Sequence, residues 1–273
     1  MKVSFMTWAC PDWDLNQVLT AAVRWGYDGV EPRAEADQKH GVELTTTKAE
    51  RGDIRRQFAD MGVEMSCIAT SRKYAFAARD DWRESVELTQ RYVDLAADVG
   101  CPYLRVFGGG TPQGVTREDA QRMVAEALAE LGPHAARRGV ALCLETHDDY
   151  SLADWCAATV RLAGAEGLGI CWDVMHPYRH GQSMAEAFAA VKDYVRHCHV
   201  HDGVRPADGG PGGWEMAKMG EGNIPHDEVA SLLATIGFQG HLSAEHINFL
   251  PPEDFLPHEA RMLREYIEAA GQA

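Results

Sequence analysis

The feature that most constrains the fold is a repeating rhythm. A short apolar or β-branched run is followed by a polar loop, then by a longer stretch with helical spacing. The strand-like runs are 2–6, 28–32, 62–68, 102–107, 139–145, 167–173, 194–201 and 240–245. The helix-like stretches are 15–26, 48–62, 80–100, 117–139, 152–164, 183–191, 226–237 and 253–270. Six of these stretches close on glycine (Gly26, Gly62, Gly100, Gly139, Gly164, Gly237), the residue favoured just past a helix C-terminus. Alternating βα units imply a parallel sheet. Eight of them in 273 residues is about 34 residues per unit, which suits a single (β/α)8 barrel, an α/β fold, over residues 1–273. A doubly wound sheet is the competing architecture, but it favours a glycine-rich phosphate turn after its first strand. Here that turn reads TWACPDWD, and Gly108–Gly110 after the fourth strand lacks the spacing.

The balance of 26 Lys+Arg against 41 Asp+Glu gives a formal charge of −15. That speaks against a phosphate-backbone surface, so no nucleic-acid partner is expected. No apolar run approaches a membrane span, and the start lacks a signal-peptide pattern. The seven cysteines form no CxxC pair and sit mostly in apolar runs, as reduced core thiols of a cytoplasmic protein would. Two connections are long, Arg33–Thr47 after the second strand and Asp202–Asn223 after the seventh. Both leave strand C-termini, where barrel enzymes place their chemistry, so both are candidate lids or binding loops.

Chemistry-bearing side chains gather at those same ends. Strand five finishes in Glu145, strand six in Asp173 and strand eight in Glu245, while strand seven runs through His197, His199 and His201. A closed barrel brings them to one rim, where three carboxylates and an imidazole would repel without a cation between them. Residues 197, 199 and 201 share a strand face about 6.6 Å apart, so one metal takes one of them, and His199 is the best placed. The expectation is one divalent ion held by Glu145, Asp173, His199 and Glu245. This oxygen-rich set favours Mn2+ or Mg2+, with Co2+ and Zn2+ as alternatives.

The runs ALCLETH, LGICWDVMHP, VRHCHVHDGVRP, MGEGNIPHDEV and GHLSAEH resemble successive motifs of the xylose isomerase-like TIM barrels, in the sugar phosphate isomerase/epimerase group. The resemblance implies the same four metal ligands. It also implies that His176 and Arg205 contact substrate, and that helix faces pair subunits. There are departures. The ketose epimerases of that group carry a glutamate six residues beyond the strand-five ligand, where this chain has Ser151; His147 and Asp148 follow Glu145 instead, making His147 a further substrate-binding candidate. The extra histidines of the trinuclear nucleases are missing from CIATSRKY and VFGGGTPQ. Rim cations (Arg33, Arg72, Lys73, Arg105, Arg205, Lys218) come from separate loops and form no recognisable phosphate cradle. A small unphosphorylated sugar or polyol is at least as good a substrate as a sugar phosphate, and Trp8 and Trp214 are candidates to stack on it.

The implied reaction is proton transfer beside a carbonyl, with the ion stabilising the enediolate. Glu145 and Glu245 are the catalytic candidates, one removing the proton and the other returning it. Return to the same carbon epimerises; return to its neighbour isomerises. Loss of a β-hydroxyl would instead make a lyase or dehydratase of a keto-sugar, inosose or dehydroshikimate type. The rival from another class is a non-catalytic sugar-binding barrel.

Overall fold

The structure is a computed structural model that describes residues 1–207, 209–247 and 249–272. Its strands are β1 (Lys2–Met6), β2 (Gly29–Glu31), β3 (Glu64–Met65), β4 (Ile68–Ala69), β5 (Tyr103–Val106), β6 (Ala141–Glu145), β7 (Leu168–Asp173), β8 (Val195–Val200), β9 (Asp202–Val204), β10 (Glu215–Ala217) and β11 (His241–Ala244). The helices are α1 (Leu15–Trp25), α2 (Lys48–Met61), α3 (Arg79–Val99), α4 (Arg117–Arg138), α5 (Ala153–Ala163), α6 (Met175–Arg179), α7 (Met184–Val191), α8 (His226–Thr235) and α9 (Pro252–Gln272).

Nine of the strands form one parallel sheet in the order β3-β2-β1-β11-β8-β7-β6-β5-β4. Its two ends, β3 and β4, are halves of the single third strand expected at 62–68, so the sheet curls into an eight-stranded α/β barrel. The split has a physical cause. Pro32, just past β2, has no N–H to donate. The ladder with β2 therefore stops at Val30–Met65, and Ile68–Ala69 pairs with β5 instead. Ala69 N–H still donates to the Pro32 carbonyl at 3.0 Å, which closes the seam.

Local chemistry sets the helix limits. Asp14 with Gln17, Thr47 with Glu50 and Ser183 with Glu186 form reciprocal caps at the starts of α1, α2 and α7. Five of the expected glycines close α1 to α5 in the left-handed region, with Gly26 at φ 75°. Strand alternation then sorts the side chains. Phe5, Leu142, Leu144, Ile170, Trp172 and Val200 face the helices and build the hydrophobic core. The opposite face, inside the barrel, carries Ser4, Glu31, Cys143, Glu145, Cys171, Asp173, His197 and His199, all buried. Its polarity is what makes a site there. The seven cysteines are free and buried. Among the described residues no helix is long and apolar enough to cross a membrane.

The connection from Asp202 to Asn223 is more ordered than its Gly- and Pro-rich composition suggested. β9 and β10 pair as an antiparallel ribbon. Asp202 pins its base by accepting four backbone N–H groups, from Gly203 and Ile224 at 2.8 and 3.1 Å and from Gly220 and Gly222 at 2.9 and 3.0 Å. Glycine is required at 222, because a Cβ there would lie 2.1 Å from Asp202 Oδ1. Asp208 lies outside the described residues.

Candidate active site

Parallel pairing puts the C-terminal ends of all barrel strands on one rim, and register does the fine placement. Asp173 on β7 stands beside His199 on β8, and Glu145 on β6 beside Cys171. Glu245 follows β11, its own N–H donating to the Val200 carbonyl at 3.1 Å. One ligand atom from each of Glu145, Asp173, His199 and Glu245 can be chosen so that all lie within 4.8 Å of one another. The four residues singled out in the sequence are thus brought together.

Their electrostatics are those of a crowded anionic centre. His199 Nδ1 faces Glu145 Oε1 and Glu245 Oε2, both at 2.8 Å. Burial opposes a charge on this ring, but Cys171, Glu31, Glu245 and Glu145 around it outweigh that and raise its pKa well above the usual value. Asp173 is buried too, yet His176 and His201 hold its pKa below the ordinary carboxylate range. Its Oδ1 accepts the Met175 and His176 N–H groups at 2.9 and 3.1 Å, at the start of α6. Glu145 Oε2 and Asp173 Oδ2 are buried without an aligned hydrogen-bond donor. Carboxylates gathered this tightly fit a divalent cation, and the mixed oxygen and imidazole set admits Mg2+, Mn2+ or Zn2+.

Above this cluster opens a cavity of about 230 Å3 lined by His147, His176, His201, Met216, Glu245 and Ile247. His147 packs on Phe107 and edge-on against His176, with centroids 4.7 and 4.3 Å away, and its Nδ1 meets Asp148 Oδ1 at 2.8 Å. Burial works against a charge on His147, but the Asp148 hydrogen bond prevails and its pKa is raised. Burial lowers the His176 pKa to about 3. His201 Nε2 lies 3.0 Å from Asp173 Oδ2.

Arg205 is not in the cavity lining. Its guanidinium sits 5.4 Å from the ring centroids of both Tyr178 and Trp214, and its N–H donates to Asn223 Oδ1 at 2.8 Å. Trp8 likewise packs on Arg33, at 5.3 Å. Trp8 and Trp214 thus each stack on an arginine and, like Arg205, lie outside the cavity lining.

Two contributors escaped the sequence reading. Glu31 ends β2 fully buried, with Oε1 2.9 Å from His199 Nε2 and Oε2 2.8 Å from His197 Nε2. The criterion that found Glu145 and Asp173, an acid closing a strand, would have found it in DGVEP. Arg105 is not a free rim cation: it is 1% exposed and its Nε lies 3.2 Å from Glu145 Oε2, with the guanidinium over Phe107.

The fold and rim define the class: a parallel α/β barrel with its polar centre at the strand C-termini. The chain belongs to the xylose isomerase-like TIM barrel family, whose model matches residues 19–266. Among solved structures it is similar to an IOLI protein with a bound zinc atom, at 17% identity and TM-score 0.83, covering 100% of this chain and 99% of that one. It is also similar to an L-ribulose 3-epimerase, at 17% identity and TM-score 0.81, covering 99% and 96%. A third is the probable 3-DHS dehydratase AsbF of Bacillus anthracis, at 16% identity and TM-score 0.79, covering 97% and 99%. No curated protein matches the sequence significantly.

Proposed function

We propose that the protein is a divalent-metal-dependent isomerase or epimerase of a small keto-sugar or keto-polyol. The observation that carries this reading is the convergence of Glu145, Asp173, His199 and Glu245 beneath a cavity walled by imidazoles. When bound there, a divalent ion supplies charge stabilisation at the substrate carbonyl and the adjacent oxygen.

The protein's own side chains would do the rest. Glu245 is the one member of the four that lines the cavity, with its side chain 12% exposed against 1% for Glu145. It is placed to take the α-proton, and His147, His176 and His201 to hold hydroxyls. Met216 and Ile247 would exclude water from one wall. The described lining includes no Lys or Arg. The nearby cations are committed elsewhere: Arg72 to Glu35 at 2.6 Å, Lys218 to the Asp254 carbonyl at 2.8 Å, Arg33 to the Ala34 and Ala69 carbonyls. This favours an uncharged substrate.

A dehydratase is the second reading, and the Arg105–Glu145 pair favours it. A glutamate held at 3.2 Å by a buried guanidinium, and outside the cavity lining, is poorly placed as a second base. His147, which lines the same cavity as Glu245, could then protonate a departing hydroxyl.

The test is deuterium uptake in D2O over a panel of ketoses, inososes and keto-acids, with and without chelation. Exchange at one α-carbon that is lost on chelation and restored by Mn2+ or Mg2+ is expected. Metal-loaded protein that binds a panel member without exchanging any proton would leave the sugar-binding barrel as the better reading.

A further inference from the structure

Glu31 has no place in the reaction just outlined, yet it touches the centre more closely than any substrate-facing histidine. Its carboxylate lies between two imidazoles of one strand, and both contacts go to Nε2. Each is the nitrogen on the far side of the ring from Nδ1, and His199 Nδ1 is the atom that faces Glu145 and Glu245. With one imidazole nitrogen at 2.8 Å from Oε2 and another at 2.9 Å from Oε1, both carboxylate oxygens are placed to accept.

The consequence is one of proton placement. A carboxylate that accepts from Nε2–H of His199 leaves Nδ1 of a neutral ring with its lone pair directed at the four-residue cluster. We propose that Glu31 is a positioning residue that locks His199 in the Nε2–H form, with Nδ1 as the metal-binding nitrogen. His197 is its counterweight. By donating to Oε2, it fixes the plane of the carboxylate, so that Oε1 stays aimed at His199. This inference rests on the reading that the cluster holds a divalent ion.

Glutamine at 31 separates acceptance from shape. It has nearly the same size but offers one acceptor and one donor, so it cannot accept from both rings. One imidazole must present a lone pair to the amide, and if that ring is His199 its proton moves to Nδ1, where it blocks the metal. The partners that orient a metal-ligating histidine typically contribute about 10- to 100-fold in metal affinity.

The experiment is competitive Zn2+ titration of the metal-free full-length protein and of Glu31→Gln, with 15N NMR of histidine-labelled, zinc-loaded wild type. Wild type should take up one Zn2+, with His199 coordinated through Nδ1 and protonated at Nε2. Glu31→Gln should bind about 10- to 100-fold more weakly, while Glu31→Asp, which keeps two acceptors, recovers part of that loss. If wild type takes up no zinc, the metal reading fails and this inference with it. If wild type binds zinc but Glu31→Gln binds as tightly, or His199 coordinates through Nε2, the positioning role alone is overturned. The wild-type NMR measurement decides the question even if Glu31→Gln does not fold.

Discussion

Asp202 ties the β9–β10 ribbon to the barrel, and Asp202→Asn should loosen that ribbon without unfolding the protein. The side chain accepts four backbone N–H groups, two on each oxygen. Asparagine keeps one oxygen and presents an NH2 to the other pair. Gly203 and Ile224 are buried whereas Gly220 is exposed and Gly222 half-buried. The amide therefore keeps its oxygen on the buried pair and turns its NH2 toward Gly220 and Gly222, whose N–H groups can reach water. Leaving a buried donor unsatisfied costs about 1–3 kcal/mol. Two donors that are partly wet fall at the low end, about 2 kcal/mol in all. Local opening of the ribbon then becomes about 30-fold more frequent, since about 1.4 kcal/mol is tenfold. Native-state hydrogen exchange should show that loss of protection in 203–217, with little change in the slowest amides of β6–β8. Uniform loss of protection across the barrel would show that Asp202 supports the whole fold, and unchanged exchange in 203–217 would show that the four bonds do not hold the ribbon.

Asp173→Ala should abolish tight metal binding while far-UV circular dichroism stays unchanged; full occupancy in that variant on elemental analysis would remove Asp173 from the ligand set. Glu245→Gln should lower turnover by about 10²–10⁴-fold at saturating metal, and recovery of normal turnover by excess Mn2+ would leave Glu245 as a ligand alone. Stability should depend on pH through Glu259, whose carboxyl burial pushes from 4.5 up to about 8, with Oε1 accepting the Met219 N–H at 3.0 Å. A raised folded-state pKa means the stabilising contribution is complete below pH 4.5 and lost as pH rises through 8. The span is at most about 5 kcal/mol. Urea unfolding of Glu259→Gln should lack this fall between pH 5 and 8.5, and a wild-type stability that is flat over the same range would contradict the assignment.

What the sequence revealed and what it hid follow from one distinction. Glu145, Asp173, His199 and Glu245 were legible because closing a parallel barrel maps every strand end onto one rim, whatever the register. Strand direction alone carries that information. Glu31 closes its strand by the same rule, but its role depends on reach across the barrel, from the end of β2 to two rings on β8, which no local pattern encodes. The seam between β3 and β4 depends on whether Pro32 meets a neighbour that needs its N–H, again a pairing fact. The same holds for Arg105, which looked like a free rim cation until the structure placed its Nε 3.2 Å from Glu145. These hidden contacts share a purpose in the fold. An interior face bearing Glu31, Glu145, Asp173, His197 and His199 tolerates burial only if each charge has an opposite one or a donor within reach. Arg105 answers Glu145, the two imidazoles answer Glu31, and the α6 N–H groups answer Asp173. What remains is the convergence of four ligand-type side chains on one shared centre, the place the proposed cation would occupy.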